Sequence, residues 1–355
     1  MQKAYLILEN GTIFEGNSFG AAGEAVGEIV FTTGMAGYLE TITDPCFYGQ
    51  IVVQTFPSIG NYGVIADNME SADSHVKAYI VREWCQEPSN YRCEGDLDTF
   101  LKEKNIVGLC GIDTRQLTKI IRENGVMNGK IVGEGASFGL TDIKAYAIEN
   151  AIESVTCKEE KTYKPQGEVK FKVAALDLGM RNSMLAQLLG RGYEVTVLPA
   201  FTKAERIKEL GVQGAVLTQG PGDPSQYTQI TDELKKLTEM KMPLFAVGMG
   251  HELLALAHGA KTYKLKYGHR GANQPVEYMA TGKTYITSQN HGYGIEHLAL
   301  PENAKASFVN VNDKSCEGLE YEGEPVVSVQ FDPELDGGPL DTGFLYEKFE
   351  GYMSK

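Results

Sequence analysis

The sequence predicts two α/β units in one chain. The first is a mixed α/β unit, and the second is a doubly wound unit built on a mainly parallel sheet. Three observations carry this reading. The chain has 355 residues, and about 100–200 residues per domain makes two the expected count. Near the middle, Cys157-Lys-Glu-Glu-Lys-Thr-Tyr-Lys-Pro-Gln-Gly-Glu168 is charged, contains Pro and Gly, and has no apolar period, as an exposed linker would. Beyond it, apolar runs of strand length alternate with helix-length segments, the pattern of a parallel sheet covered on both faces. The expected boundaries are 1–153 for the first domain, 154–170 for the linker and 171–355 for the second domain.

In the first domain, Tyr5–Leu8, Ile51–Phe56 and Ala78–Val81 are rich in β-branched and aromatic residues and read as strands. The stretch Asp113–Gly125 reads as a short helix. Asp113 or Thr114 can cap its start, Leu117, Ile120 and Ile121 share an apolar face, and Gly125 can end it. In the second domain, Val173–Leu178, Tyr193–Leu198, Gly214–Leu217 and Pro243–Val247 are strands spaced for intervening helices, the first of them at Asn182–Leu189. Later strands are expected at Thr284–Thr287 and Pro325–Phe331.

Composition narrows the function. Lys plus Arg number 33 and Asp plus Glu 47, a net charge of −14, so a nucleic-acid partner is not expected. No apolar run approaches the ~18 residues of a membrane span. The apolar run near the N-terminus is too short for a signal peptide. The six cysteines form no CxxC pair; reduced thiols and a cytoplasmic location are the expectation.

Parallel sheets place their ligand crevice at the carboxyl ends of the strands, so the loops there are where chemistry is expected. After Leu217 comes Thr218-Gln-Gly220-Pro-Gly222-Asp-Pro224, a rigid turn with amides able to hold a carboxylate or oxyanion. After Val247 comes Gly248-Met249-Gly250-His251-Glu252 leading into a helix, the strand–turn–helix of a nucleophile elbow. Ser288-Gln-Asn290-His291-Gly292-Tyr293-Gly294 reads as a polar turn, and Asp332-Pro333-Glu334 follows Phe331.

Together these loops resemble class I glutamine amidotransferases. Over nearly the whole chain the sequence is similar to the carbamoyl phosphate synthase small-subunit family. Val26-Gly-Glu-Ile-Val-Phe-Thr-Thr-Gly-Met-Ala-Gly-Tyr38, Thr43-Asp-Pro45, Gly60-Asn61, Gly111-Ile-Asp-Thr-Arg-Gln-Leu-Thr118, Leu253–Thr262 and Gly268-His-Arg-Gly-Ala-Asn273 carry that likeness. The resemblance implies an amidotransferase-like second domain and a first domain that docks on a large synthetase subunit. ATP and magnesium would then belong to that partner, with no cofactor in this chain.

The family hydrolyses glutamine with a Cys-His-Glu triad, and here the triad is altered. The resemblance places Gly248 at the Cys position, Asp332 at the His position and Glu334 at the Glu position. Glycine cannot form a thioester, and a carboxylate is a far weaker base than imidazole. By the same resemblance, Cys46, Gly220, Gly222, Met249, Glu252, Asn290, Gly292 and Tyr293 hold the glutamine-pocket positions. Glu252 stands where the family has Gln, which adds a negative charge to the expected pocket. Cys46 reads as a small buried thiol and His291 as a hydrogen-bonding residue of the framework. Glu252, Asp332, Glu334 and His251 read as leftover polar groups rather than metal ligands, and no metal site is expected. The implied function is a scaffold or allosteric small subunit of an ammonia-using synthetase, the alternative being a stand-alone regulatory or small-molecule-binding module.

Overall fold

The computed structural model describes residues 2–136, 139–296, 299–333 and 339–355. The chain divides into two compact units, Met1–Ala151 and Ile152–Lys355. No described helix is long and apolar enough to cross a membrane.

The first unit contains strands β1 (Lys3–Leu8), β2 (Ile13–Gly20), β3 (Ala25–Thr32), β4 (Gln50–Gln54), β5 (Ser58–Ile59), β6 (Ala78–Ile80), β7 (Glu83–Trp84), β8 (Val107–Cys110) and β9 (Met127–Gly133). Its helices are α1 (Tyr38–Thr43), α2 (Leu97–Glu103), α3 (Thr114–Asn124) and α4 (Thr141–Ala145). Seven strands close into a barrel in the order β1-β2-β8-β6-β4-β3-β9. Closure removes exposed sheet edges, and along β2 the buried Phe14 and Gly16 alternate with exposed Ile13, Glu15 and Asn17, as the two-residue side-chain period requires. Helix α3 starts where the Asp113 side chain accepts a hydrogen bond from the Gln116 amide, and ends at Gly125 with φ of 95°.

The second unit begins within a short helix α5 (Ala151–Val155). The segment expected to be a linker is partly structured. Lys161–Tyr163 forms β10, an edge strand antiparallel to β12 (Tyr193–Pro199), with the Thr162 and Thr196 hydroxyls 3.0 Å apart. A short edge strand carrying a lysine discourages further pairing, and composition alone does not separate it from a linker.

The remaining elements are β11 (Phe171–Asp177), α6 (Asn182–Gly190), α7 (Ala204–Glu209), β13 (Gly214–Leu217), α8 (Thr228–Glu239), β14 (Leu244–Val247), α9 (Met249–Ala257), β15 (Thr262–Tyr278), β16 (Lys283–Ile295), β17 (Ala304–Asn310), β18 (Cys316–Tyr321), β19 (Val326–Val329) and α10 (Phe344–Met353). Strands β12, β11, β13, β14 and β19 run parallel. Alternate residues of these strands feed two cores. Ala174, Leu176, Leu217 and Leu244 pack with Leu234 and Leu253 of α8 and α9. Val173, Ala175, Phe245 and Val327 pack with Met184 of α6 and Phe349 of α10. Helices therefore cover both faces of the sheet.

Strands β15 to β18 extend the sheet in antiparallel fashion. Here the expected polar turn at Ser288–Gly294 is instead continuous strand, because β16 runs from Lys283 to Ile295 against β15. Irregularities of register between Lys264 and His269, and between Gly271 and Gln274, let a glycine-rich and polar sequence stay in the ladder.

Candidate active site at the strand-to-helix elbow

The carboxyl ends of β11, β13, β14 and β19 bring together the residues that follow them. At the centre, β14 turns into α9 through Gly248, which has φ of 56° and ψ of −116°, a conformation costly for residues with a Cβ. The turn is pinned on several sides. The Gly248 amide donates to Val329 O at 3.0 Å, the Gly250 amide to Thr218 O at 3.0 Å, and the Glu252 amide to Gly248 O at 3.0 Å. The elbow predicted from the sequence is present, with glycine at its apex. A Cβ on Gly248 would stand 3.1 Å from the Gln219 Cβ and 3.4 Å from its Cα, so a side chain there would need the Gln219 loop to give by a few tenths of an ångström.

Asp332 follows β19 and is buried. Arg181 Nη1 donates to its Oδ2 at 2.6 Å, with the two side chains 3% and 8% exposed. Gln219 Nε2 approaches Oδ1 at 3.5 Å, and the Asp332 amide donates to Ser288 O at 3.0 Å. Asp332 is thus half of a buried ion pair. The contact to Arg181 is a charge-assisted hydrogen bond.

Glu252, expected to add a negative charge, is buried. It is 3% exposed and accepts a hydrogen bond from Gln330 Nε2 at 3.1 Å. Burial pushes its pKa up to about 8, against the lowering effect of Gln330. Burial thus favours its protonated, uncharged form. Its neighbour His251 is wholly buried, with Nδ1 2.7 Å from the Ser328 hydroxyl, and burial takes its pKa down to about 3. His251, Glu252 and Asp332 each take a different partner and form no common ligand set.

Gly220 and Gly222 lie in the loop after β13, and a side chain on Gly220 would collide with the Leu178 carbonyl. Met249 is the first residue of α9 with its side chain in the core; its amide belongs to the helical turn that lacks intrahelical acceptors. Asn290, Gly292 and Tyr293 stand on β16. Cys46 belongs to the first unit, buried in a single turn of 3₁₀-helix whose start is capped by Asp44. Glu334 lies outside the described residues.

Four participants escape the sequence reading: Arg181, Gln219, Ser328 and Gln330. One available signal was Arg181, the residue before a helix and just after the first parallel strand, whose loop also opens on the crevice side.

Residues 6–131 match the family described as "Carbamoyl-phosphate synthase small chain, CPSase domain", and residues 174–351 match "Glutamine amidotransferase class-I". The chain is 45% identical over 354 residues to the carbamoyl phosphate synthase small chain of Clostridium perfringens, covering 99% of each protein. It is 42% identical over 370 residues to that of Syntrophotalea carbinolica, covering 99% of this chain and 98% of the relative. The small chain of Listeria monocytogenes is 42% identical over 356 residues, covering 100% of this chain and 98% of the relative.

Proposed function

The chain belongs to the carbamoyl phosphate synthase small chain family, and from that premise we propose that it is a small subunit whose own glutamine hydrolysis is lost. One observation carries the reading. The elbow that presents a nucleophile in an active amidotransferase is intact in backbone, yet its apex is Gly248. A thioester needs a sulfur at that point, and no side chain exists there to supply one. The Arg181–Asp332 ion pair supports the same reading, because a carboxylate stabilised by a guanidinium has little tendency to take a proton from a substrate or thiol.

The role left is that of a partner for the large, ATP-using synthetase subunit. That subunit would hold ATP and magnesium and draw on free ammonia as its nitrogen source. The first unit, which carries the family's N-terminal motifs, would make the docking contact.

The purified full-length chain should release glutamate from glutamine at the rate of a protein-free control. Gly248→Cys should leave this unchanged, and so should Gly248→Cys with Asp332→His, because the restored imidazole would face Arg181. Wild-type activity abolished by Cys46→Ala would overturn the proposal. Co-expressed with the large subunit from the same genome, the chain should co-purify with it, and the complex should make carbamoyl phosphate from ammonium but not from glutamine. Failure to co-purify would favour a stand-alone regulatory module.

A further inference from the structure

A second buried polar cluster lies on the antiparallel extension of the sheet. His269 on β15 stands directly opposite His291 on β16, their rings edge to face with centroids 4.9 Å apart. Glu317 reaches them from β18 and is completely buried. His269 Nδ1 is 3.2 Å from Glu317 Oε1, and His291 Nε2 is 3.8 Å from Glu317 Oε2.

One atom of each residue is anchored by a neighbour. His269 Nε2 donates to Asp313 Oδ2 at 2.9 Å. His291 Nδ1 donates to the Tyr293 carbonyl at 2.6 Å. The Ser315 hydroxyl donates to Glu317 Oε1 at 2.7 Å. This is how metal-binding histidines and carboxylates are held: a carboxylate or carbonyl fixes the far ring nitrogen and aims the near one inward. Glu317 Oε2, inside the cluster, accepts no hydrogen bond, a costly state for a buried carboxylate oxygen.

From this geometry we infer that His269 Nδ1, His291 Nε2 and Glu317 Oε2 form a binding site for a divalent zinc ion, with Asp313 orienting His269. Two imidazoles and a carboxylate suit zinc better than calcium or magnesium, which prefer sets of oxygen ligands. The two carboxylates of Asp313 and Glu317 match the charge of one divalent cation. The ligand atoms all lie within 4.8 Å of one another. With zinc–ligand bonds of about 2.0–2.2 Å, tetrahedral binding closes that spread by side-chain shifts of roughly 1 Å. Gln289 Oε1, now 3.0 Å from His291 Nε2, would be displaced. The ion would pin β15, β16 and β18 together, a structural role separate from the elbow.

The test is zinc titration of the chelator-treated full-length protein against a chromophoric competitor, with Co²⁺ absorption as a spectroscopic check on the ligand set. One zinc per chain is expected, together with a rise in melting temperature at excess zinc. Glu317→Gln should weaken binding about 100-fold, and Asp313→Asn, which spares every ligand, about 10-fold. The inference falls if folded wild-type protein takes up no stoichiometric zinc, or if both variants bind zinc as tightly as wild type. Should Glu317→Gln fail to fold, by circular dichroism, the partly exposed Asp313→Asn variant carries the test.

Discussion

Replacing Arg181 with Met should destabilise the second unit by about 3–5 kcal/mol, the usual cost of leaving one member of a buried ion pair without its partner. Asp332 would stay buried while losing a 2.6 Å charge-assisted hydrogen bond. In a unit of this size, that loss lowers the melting temperature by roughly 10 °C. The double variant Arg181→Met with Asp332→Leu should recover most of it, since removing both charges also removes the desolvation cost. Denaturant unfolding of the four proteins in the cycle gives the coupling directly. If Arg181→Met is neutral, the pair contributes nothing and Asp332 is free to change its role. An imidazole introduced by Asp332→His would likewise face the buried Arg181 guanidinium.

The second large effect is a dependence of stability on pH that Glu252 imposes. Its pKa rises from an ordinary 4.5 to about 8 on folding. The native state therefore holds a proton that the unfolded chain releases between those values. Stability from this group is fully present below about pH 4.5 and is lost as pH rises through about 8. The slope approaches 1.4 kcal/mol per pH unit at most, so the loss across the window is on the order of 4 kcal/mol. The informative quantity is thus the difference between wild type and Glu252→Gln. Urea midpoints measured from pH 5 to 8.5 should show wild type losing stability relative to the variant as pH rises. Parallel curves would mean that the buried carboxyl is already ionised at pH 5.

Much of the site was legible because it depends on local chain chemistry. An apolar strand, a Gly-x-Gly turn and a helix at 244–257 specify an elbow wherever the rest of the chain goes, and glycine at its apex is a covalent fact. The parallel strands were legible for the same reason: runs such as Val173–Leu178 are apolar on both faces, as the two cores demand. The strand at Ser288–Gly294 was not, because its place in the ladder rests on partners in β15 and on irregular register rather than on its own propensities. Nor was β10, a three-residue edge strand whose place rests on its partner β12.

By itself, then, the sequence determined the two-unit α/β plan, the family and the glycine at the elbow's apex, all of which follow from residue identity and short-range pattern. Tertiary structure alone decided what the altered residues do. Arg181 and Asp332 are 151 positions apart and become an ion pair only when β11 and β19 share a sheet. Glu252 reads as a charge in the sequence, and folding favours its uncharged form by removing it from water. The meeting of His269, His291 and Glu317 likewise awaits the pairing of three strands. Charge state and coordination depend on distance and dielectric, and those exist only in the folded chain.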